Sequence, residues 1–178
     1  MVTGELIDLR AIDRDDVSLL QGWLDDPELM RWWGYGAPAI SRSAVLHRVE
    51  SWLEDERVFG HPVAFVIATL EGEAAGFLVL SDVQPVDRSA ELSLFLEERF
   101  RGMSLGRDAL ATACDAAFEQ WNLHRLSARS EAENTSAHRF FQRNGFALEG
   151  CMREARYIDG GWSDILIFGR LRNEDVGE

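Results

Sequence analysis

At 178 residues the chain holds one hydrophobic core more readily than two, and 46% hydrophobic with 28% charged residues is the make-up of an ordinary globular domain. A net charge of −13, with every basic side chain an arginine, argues against a nucleic-acid surface and for a cationic partner, although acidity also serves solubility. No apolar run approaches the ~20 residues of a membrane span, and Met1 to Asp8 carries neither the basic region nor the apolar stretch of an export signal, so a cytoplasmic protein with no membrane partner is expected.

In chain order, Leu6 to Arg10 alternates as a first strand, and Asp13 to Leu24 has helical apolar spacing behind an Asp cap. The aromatic, glycine-punctuated stretch Met30 to Gly36 reads as a loop. Trp32, Trp33 and Tyr35 within it are candidates for a substrate wall, or equally for core filling. Ser41 to Glu54 follows as a capped helix with Val45, Val49 and Trp52 on one face. Ala64 to Thr69 and Ala75 to Leu80 flank Glu71-Gly72-Glu73 as a hairpin, and Glu91 to Leu96 is a further strand. Leu105 to Trp121 carries a helical stripe through Ala109, Leu110, Ala113, Ala117 and Phe118. A strand at Arg125 to Ser130, a helix at Ser136 to Arg143, and strands near Leu148 to Tyr157 and Ile165 to Arg170 complete the pattern. The order is mixed α/β, a single domain over 1–178 with a frayed tail from 173 to 178. Cys114 and Cys151 are too few for a metal cluster or a disulfide framework and read as packing residues, so no metal is expected.

Chemistry concentrates between a strand and a helix, in Arg101-Gly102-Met103-Ser104-Leu105-Gly106-Arg107. Glycines let the backbone curl with its N–H groups converging, and a helix start adds unpaired donors and partial positive charge. Arg101 and Arg107 add cations suited to phosphate. A diphosphate fits such a turn, although other phosphates use the same device.

Arg101-Gly102-x-x-x-Gly106, followed by Asn134-x-x-Ala137-x-x-Phe140-Phe141-x-Arg143-x-Gly145-Phe146-x-x-Glu149-Gly150, resembles the GNAT N-acetyltransferases of the RimJ/RimL type. The likeness is specific in the latter half and loose before Ala64. It implies a GNAT fold: a mixed, mostly antiparallel sheet splayed between its fourth and fifth strands, with helices on both faces and acyl-CoA in the gap. By that resemblance Glu91 to Leu96 is the fourth strand, and backbone groups of Leu94, Phe95 and Leu96 meet the pantetheine and the thioester carbonyl. Arg101 to Gly106, with Arg107, hold the diphosphate. Asn134 faces the pantetheine or an active-site water, and Phe141 and Arg143 belong to the same cofactor-binding half. The family often has a glycine where Ser104 stands, which puts the affinity of the turn in question.

Acyl transfer to an amine needs a neutral amine, a stabilised oxyanion and a protonated leaving thiolate. Glu91, at the head of the acyl-binding strand, is the expected base; a surface carboxylate or a binding site for a substrate cation is the alternative. Glu131, Glu133 and Asp82 are weaker choices. The acid is less defined, because family members often carry Tyr at the position of Phe141 and Ser at that of Ala137. Ser136, or a water on Asn134, is then the donor, or the thiolate departs unassisted; Tyr157 and His138 are remote candidates. Trp162, before the last strand, closes the acceptor pocket or folds onto the sheet. The expected reaction moves an acetyl group from acetyl-CoA, the co-substrate, to a primary amine on a small molecule or peptide: a protein N-terminus, polyamine, aminoglycoside or amino-acid derivative. A non-catalytic acyl-CoA-binding module and a transferase for a larger acyl group such as succinyl are the alternatives. Dimers are common among such enzymes, so a homodimer lies within what the resemblance implies.

Overall fold

The computed structural model describes residues 1–33 and 40–174, with the backbone alone at Glu28, Trp32 and Trp33. Strands β1 (Val2–Thr3) and β2 (Ile7–Ala11) lead through a 3-10 turn at Arg14–Asp16 into α1 (Val17–Leu24), α2 (Pro27–Trp33) and α3 (Arg42–Phe59). There follow β3 (Ala64–Thr69), β4 (Ala74–Gln84), β5 (Ser89–Leu96), α4 (Leu105–Asp115), β6 (Arg125–Glu131), α5 (Thr135–Arg143), β7 (Ala147–Ile158) and β8 (Gly161–Leu171). Local chemistry sets several boundaries. Asp13 and Asp16 form a reciprocal capping box ahead of α1, and Ser41 Oγ accepts from the Ala44 N–H to start α3. Gly60 ends α3 at φ +77°, a conformation that suits glycine.

Two expectations need correction here. Met30 to Trp33 is the end of a helix rather than a loop, and Met30 is buried against α1 and α3 residues, so Met30 helps fill the core. Tyr35, and the side chains of Trp32 and Trp33, lie outside the described residues. The helix from Leu105 does not run evenly to Trp121: α4 ends at Asp115 and widens into a π turn over Ala116–Gln120, closed by the Trp121 N–H on the Ala116 carbonyl at 3.0 Å.

Among the described residues, all strands join one sheet in the order β1-β2-β3-β4-β5-β6-β8-β7. Only β5 and β6 are parallel; the other neighbours are antiparallel. Period-two alternation then divides the side chains between two cores. Ala90 and Leu92 of β5 face α4 and α5, meeting Leu105, Ala109, Leu110, Ala113 and Phe141. Phe95 faces the other way, into Val17, Leu20 and Trp23 of α1 and Val45 and Val49 of α3.

The first strands are pinned by an acid that sequence patterning did not single out. Asp108, in the first turns of α4, accepts from the main-chain N–H of Leu6 at 2.7 Å, Ile7 at 3.1 Å and Glu5 at 3.2 Å. A Cβ on Gly4 would stand 2.5 Å from both Asp108 Oδ2 and Thr112 Oγ1, so glycine is what allows the approach. Asp108→Ala orphans three donors together and is expected to cost about 2–3 kcal/mol, read as a lower urea midpoint.

The parallel pair that positions the site is short. Ser89↔Arg125, Ala90↔Leu126 and Glu91↔Ser127 are its only ladder partners. Past Glu91, β5 stays with β4 and β6 stays with β8, so the sheet opens between Leu92–Leu96 and Ala128–Glu131. Val2–Thr3 adds an edge strand, so the expected fourth and fifth strands, between which the sheet opens, are β5 and β6 here.

Candidate active site

Three elements converge where the strands part. The first turn of α4 follows β5 after a 3-10 turn at Glu98–Phe100, and a Cβ on Gly106 would stand 2.9 Å from Leu96 Cδ1 and 3.6 Å from the Phe140 ring of α5. Gly106 therefore lets α4 sit close against both β5 and α5. Arg101 Nε donates to the Leu96 carbonyl at 3.1 Å, bracing the turn against the strand it leaves. Main-chain N–H groups in the first turn of a helix have no partner within it, so Leu105, Gly106 and Arg107 begin α4 as anion-seeking donors. Met103 and Arg107 are exposed at this turn. The residues fit a diphosphate there, and the parted strand beyond Glu91 fits an extended pantetheine chain.

Ser104 is the irregular member. It takes φ +64°, in the left-handed region, and its hydroxyl makes no cap bond to α4. A conformation that glycine adopts freely is thus imposed on a residue with a Cβ. Ser104→Gly is expected to stabilise the folded protein by about 0.5–1 kcal/mol, read as a raised urea midpoint. The departure from the family pattern costs backbone strain, with no compensating cap.

Glu91 closes the last ladder pair. Its side chain is 17% exposed and its Oε2 lies 2.9 Å from Nε of Arg129, which is 51% exposed. Burial raises its pKa above the ordinary carboxylate value, nearby Arg129 opposes that rise, and the charge of Asp82 adds to it. A carboxylate held partly desolvated beside one cation and one anion is a better proton acceptor than a solvated one. Glu131, the alternative, is buried at the end of β6 and is committed to Arg156. Glu133 accepts from Ser163 Oγ at 2.8 Å.

Asn134 and Ser136 meet in one small network. Asn134 Oδ1 caps α5 by accepting from the Ala137 N–H at 3.1 Å, and it also accepts from Ser136 Oγ at 2.8 Å. The Ser136 proton is therefore engaged, while the Asn134 amide N–H groups make no hydrogen bond among the described residues. His138 supports the same turn: its Nε2 lies 2.8 Å from the Glu131 carbonyl, and burial lowers its pKa.

Other expected contacts are corrected by packing. Phe141 is 6% exposed and stacks in the core at 5.5 Å from Phe146 and 5.6 Å from Phe168, so its ring holds α5 against the sheet. Phe95 is likewise a core ring, 5.3 Å from Phe77, which leaves its main chain as the part available to a ligand. Leu94 and Leu96 are half-buried on the α4 side. Arg143 is exposed near the end of α5. Trp162 is exposed and packs edge-on at 5.3 Å against Tyr157 across the β7–β8 hairpin, whose turn residue Asp159 pairs with Arg31 of α2 at 3.0 Å. Cys114 is buried as a packing residue and its thiol is pushed up to about 11, but Cys151 is exposed near Asp164.

Sequence reading missed Arg129. Its signal was the alternation Arg125, Ser127, Arg129, Glu131, which puts four polar residues on one face of β6 opposite Leu126 and Ala128. On that face Arg125 also grips Glu149 through both terminal nitrogens.

Residues 7–147 match the family model described as acetyltransferase (GNAT) domain. The chain is 24% identical to spermidine N(1)-acetyltransferase of Escherichia coli strain K12 over 178 residues, spanning 100% of this chain and 92% of that protein. It is 25% identical to the ribosomal-protein-serine acetyltransferase of the same strain over 101 residues, 57% of this chain and 56% of that one. Among solved structures, spermidine N-acetyltransferase from Vibrio cholerae with CoA and spermine superposes with a TM-score of 0.85 at 22% identity, covering 95% of this chain and 97% of that one. RimL, the ribosomal L7/L12 alpha-N-protein acetyltransferase with CoA, gives 0.84 at 22% identity, covering 99% and 98%. The parted parallel pair, the glycine turn into α4 and the match over residues 7–147 agree: the chain belongs to the acetyltransferase (GNAT) family and by that membership is an acyltransferase.

Proposed function

We propose that the chain moves an acetyl group from acetyl-CoA to a primary amine by direct transfer with both substrates bound. The observation that carries this reading is the opening of β5 from β6 immediately past Glu91, beside the glycine turn that starts α4. Acetyl-CoA, when bound, supplies an activated acyl carbon and a thiolate leaving group. The turn from Arg101 to Gly106 and the N–H groups of the first turn of α4 would hold its diphosphate. A main-chain N–H of Leu94, Phe95 or Leu96 would donate to the acyl oxygen as charge builds there. Glu91, directly or through water, would take the proton released as the amine nitrogen bonds to the acyl carbon. A proton from a water on Asn134, or from Ser136 once its hydroxyl turns away from Asn134 Oδ1, would neutralise the sulfur as the carbon–sulfur bond breaks; Phe141 has none to give. Alignment of the two substrates supplies much of the rate, since it is worth about 7–11 kcal/mol in well-oriented reactions.

Relatives named for spermidine and for ribosomal proteins support a primary amine as acceptor without choosing among amines. The test is acetyl-CoA binding by calorimetry, then CoA release with a panel of a polyamine, an N-terminal peptide and amino acids. Amine-dependent release is the expected result. Binding without release across the panel would favour a non-catalytic acyl-CoA module, and no binding would overturn the reading.

A further inference from the structure

The ion pair between Glu91 and Arg129 differs from the two-pronged Arg–carboxylate pairs of the fold. Arg10 grips Asp16 with both terminal nitrogens, at 2.9 and 2.7 Å, and Arg125 grips Glu149 in the same way. Such two-pronged pairs satisfy the guanidinium and carboxylate together. Arg129 meets Glu91 at Nε, 2.9 Å from Oε2, and its terminal nitrogens make no hydrogen bond among the described residues. A guanidinium with its fork uncommitted is a poor structural tie and a ready receptor for a second carboxylate.

Its placement gives that receptor a use. Ser127 and Arg129 share a face of β6, and Glu91 shares it as the ladder partner of Ser127. Arg129 stands two residues past the final ladder pair, at the mouth of the opening, and reaches back to Glu91. The charged groups near Glu91 are Arg129 and Asp82, while Glu131 at the end of β6 is neutralised by Arg156. The group therefore offers two carboxylates to an ammonium and one forked cation to a carboxylate. A polyamine would bring further positive charge against Arg129, and a peptide N-terminus would leave the fork unused. A zwitterion answers both signs.

We infer that Arg129 is a specificity-determining residue that binds the carboxylate of an α-amino-acid acceptor, whose amino group lies at Glu91. The inference rests on the proposed acetyl transfer at Glu91 and narrows its acceptor. The reaction is unchanged in its balance: the α-amino nitrogen bonds to the acyl carbon, its proton leaves to Glu91, and the products are an N-acetyl amino acid and CoA.

The experiment compares L-phenylalanine, L-phenylalaninamide and phenethylamine as acceptors for the full chain, with wild type, Arg129→Gln and Arg129→Lys. Wild type is expected to favour the free acid over the amide by about 10- to 100-fold in kcat/KM. Arg129→Gln should bring that ratio to about one, and Arg129→Lys should restore part of it. Binding gives a second readout: with CoA present, N-acetyl-L-phenylalanine should raise the melting temperature of wild type, its amide should not, and the rise should vanish in Arg129→Gln. A wild-type ratio near one, a preference for the amide, or a ratio unmoved by Arg129→Gln overturns the inference. So does failure of both the acid and its acetylated product to bind. Acetylation of the amide or amine would then leave the transferase reading standing, whereas absence of acetyl-CoA binding by calorimetry would remove both.

Discussion

Glu91→Gln is expected to lower kcat about 100-fold or more at neutral pH while leaving acyl-CoA affinity within about twofold. The amide keeps the shape of the side chain and loses the ability to accept a proton. The wild-type rate should fall as pH drops through the pKa of Glu91, which lies above the ordinary carboxylate value because burial and Asp82 outweigh Arg129. Removing Arg129 takes away the lowering influence, so the acidic limb of the rate profile should move to higher pH in Arg129→Gln. Stability should respond in the opposite sense to activity. A carboxyl whose folded pKa is raised stabilises the fold fully below its unfolded pKa, and that contribution is lost as pH rises through the folded one. At pH 7 the ionised Glu91 is therefore a cost that glutamine does not carry. Arg129 is half exposed, so water can solvate it once its partner is gone. The urea midpoint of Glu91→Gln at pH 7 should equal or exceed that of wild type. A slow variant that is also markedly unstable would make Glu91 a structural acid; unchanged turnover at every pH would remove it from the base role.

What could be read from the chain beforehand follows from the range of each interaction. Ala64 to Thr69 is legible as a short apolar run buried on both faces, and Leu105 to Asp115 as a helical stripe with one face buried, each written within a few residues. The glycine turn into α4 is legible because its backbone need is local. The π turn at Ala116–Gln120 was not, since small buried residues such as Ala116 and Ala117 fit an α or a π turn equally well. Asp108 looked like an ordinary acid in a helix, and its work is done on residues about a hundred positions away. The Arg129–Glu91 pair needs the β5–β6 register, and a shift of one residue would send Arg129 to the opposite face. Phe141 shows the reverse error. Placed beside motif residues it reads as part of the cofactor half, but the helix turns its ring into Phe146 and Phe168.

Gly76→Ala should be the most damaging single-methyl change in the sheet. Gly76 of β4 pairs with Leu96 at the end of β5, and an added Cβ would stand 3.0 Å from Leu96 Cα and closer still to the Phe95 carbonyl oxygen. Backbone cannot swing aside as a side-chain end can, so β5 must move as a strand. That strand is anchored on both sides of the clash: Phe95 is packed among Phe77 and Trp23, and the Glu97 N–H bonds the Ala75 carbonyl at 3.0 Å. We expect a loss of about 3 kcal/mol in urea unfolding. Acyl-CoA affinity should also weaken, because the displaced segment is Leu94 to Leu96, the stretch assigned to the acyl chain. Gly22→Ala is the matched control. Gly22 is exposed inside α1 with nothing within 4 Å of an added Cβ, so the same methyl should raise stability there by about 0.5–1 kcal/mol. Should Gly76→Ala lose stability yet bind acyl-CoA as wild type does, the end of β5 would be a structural strand alone and the acyl chain would have to lie elsewhere.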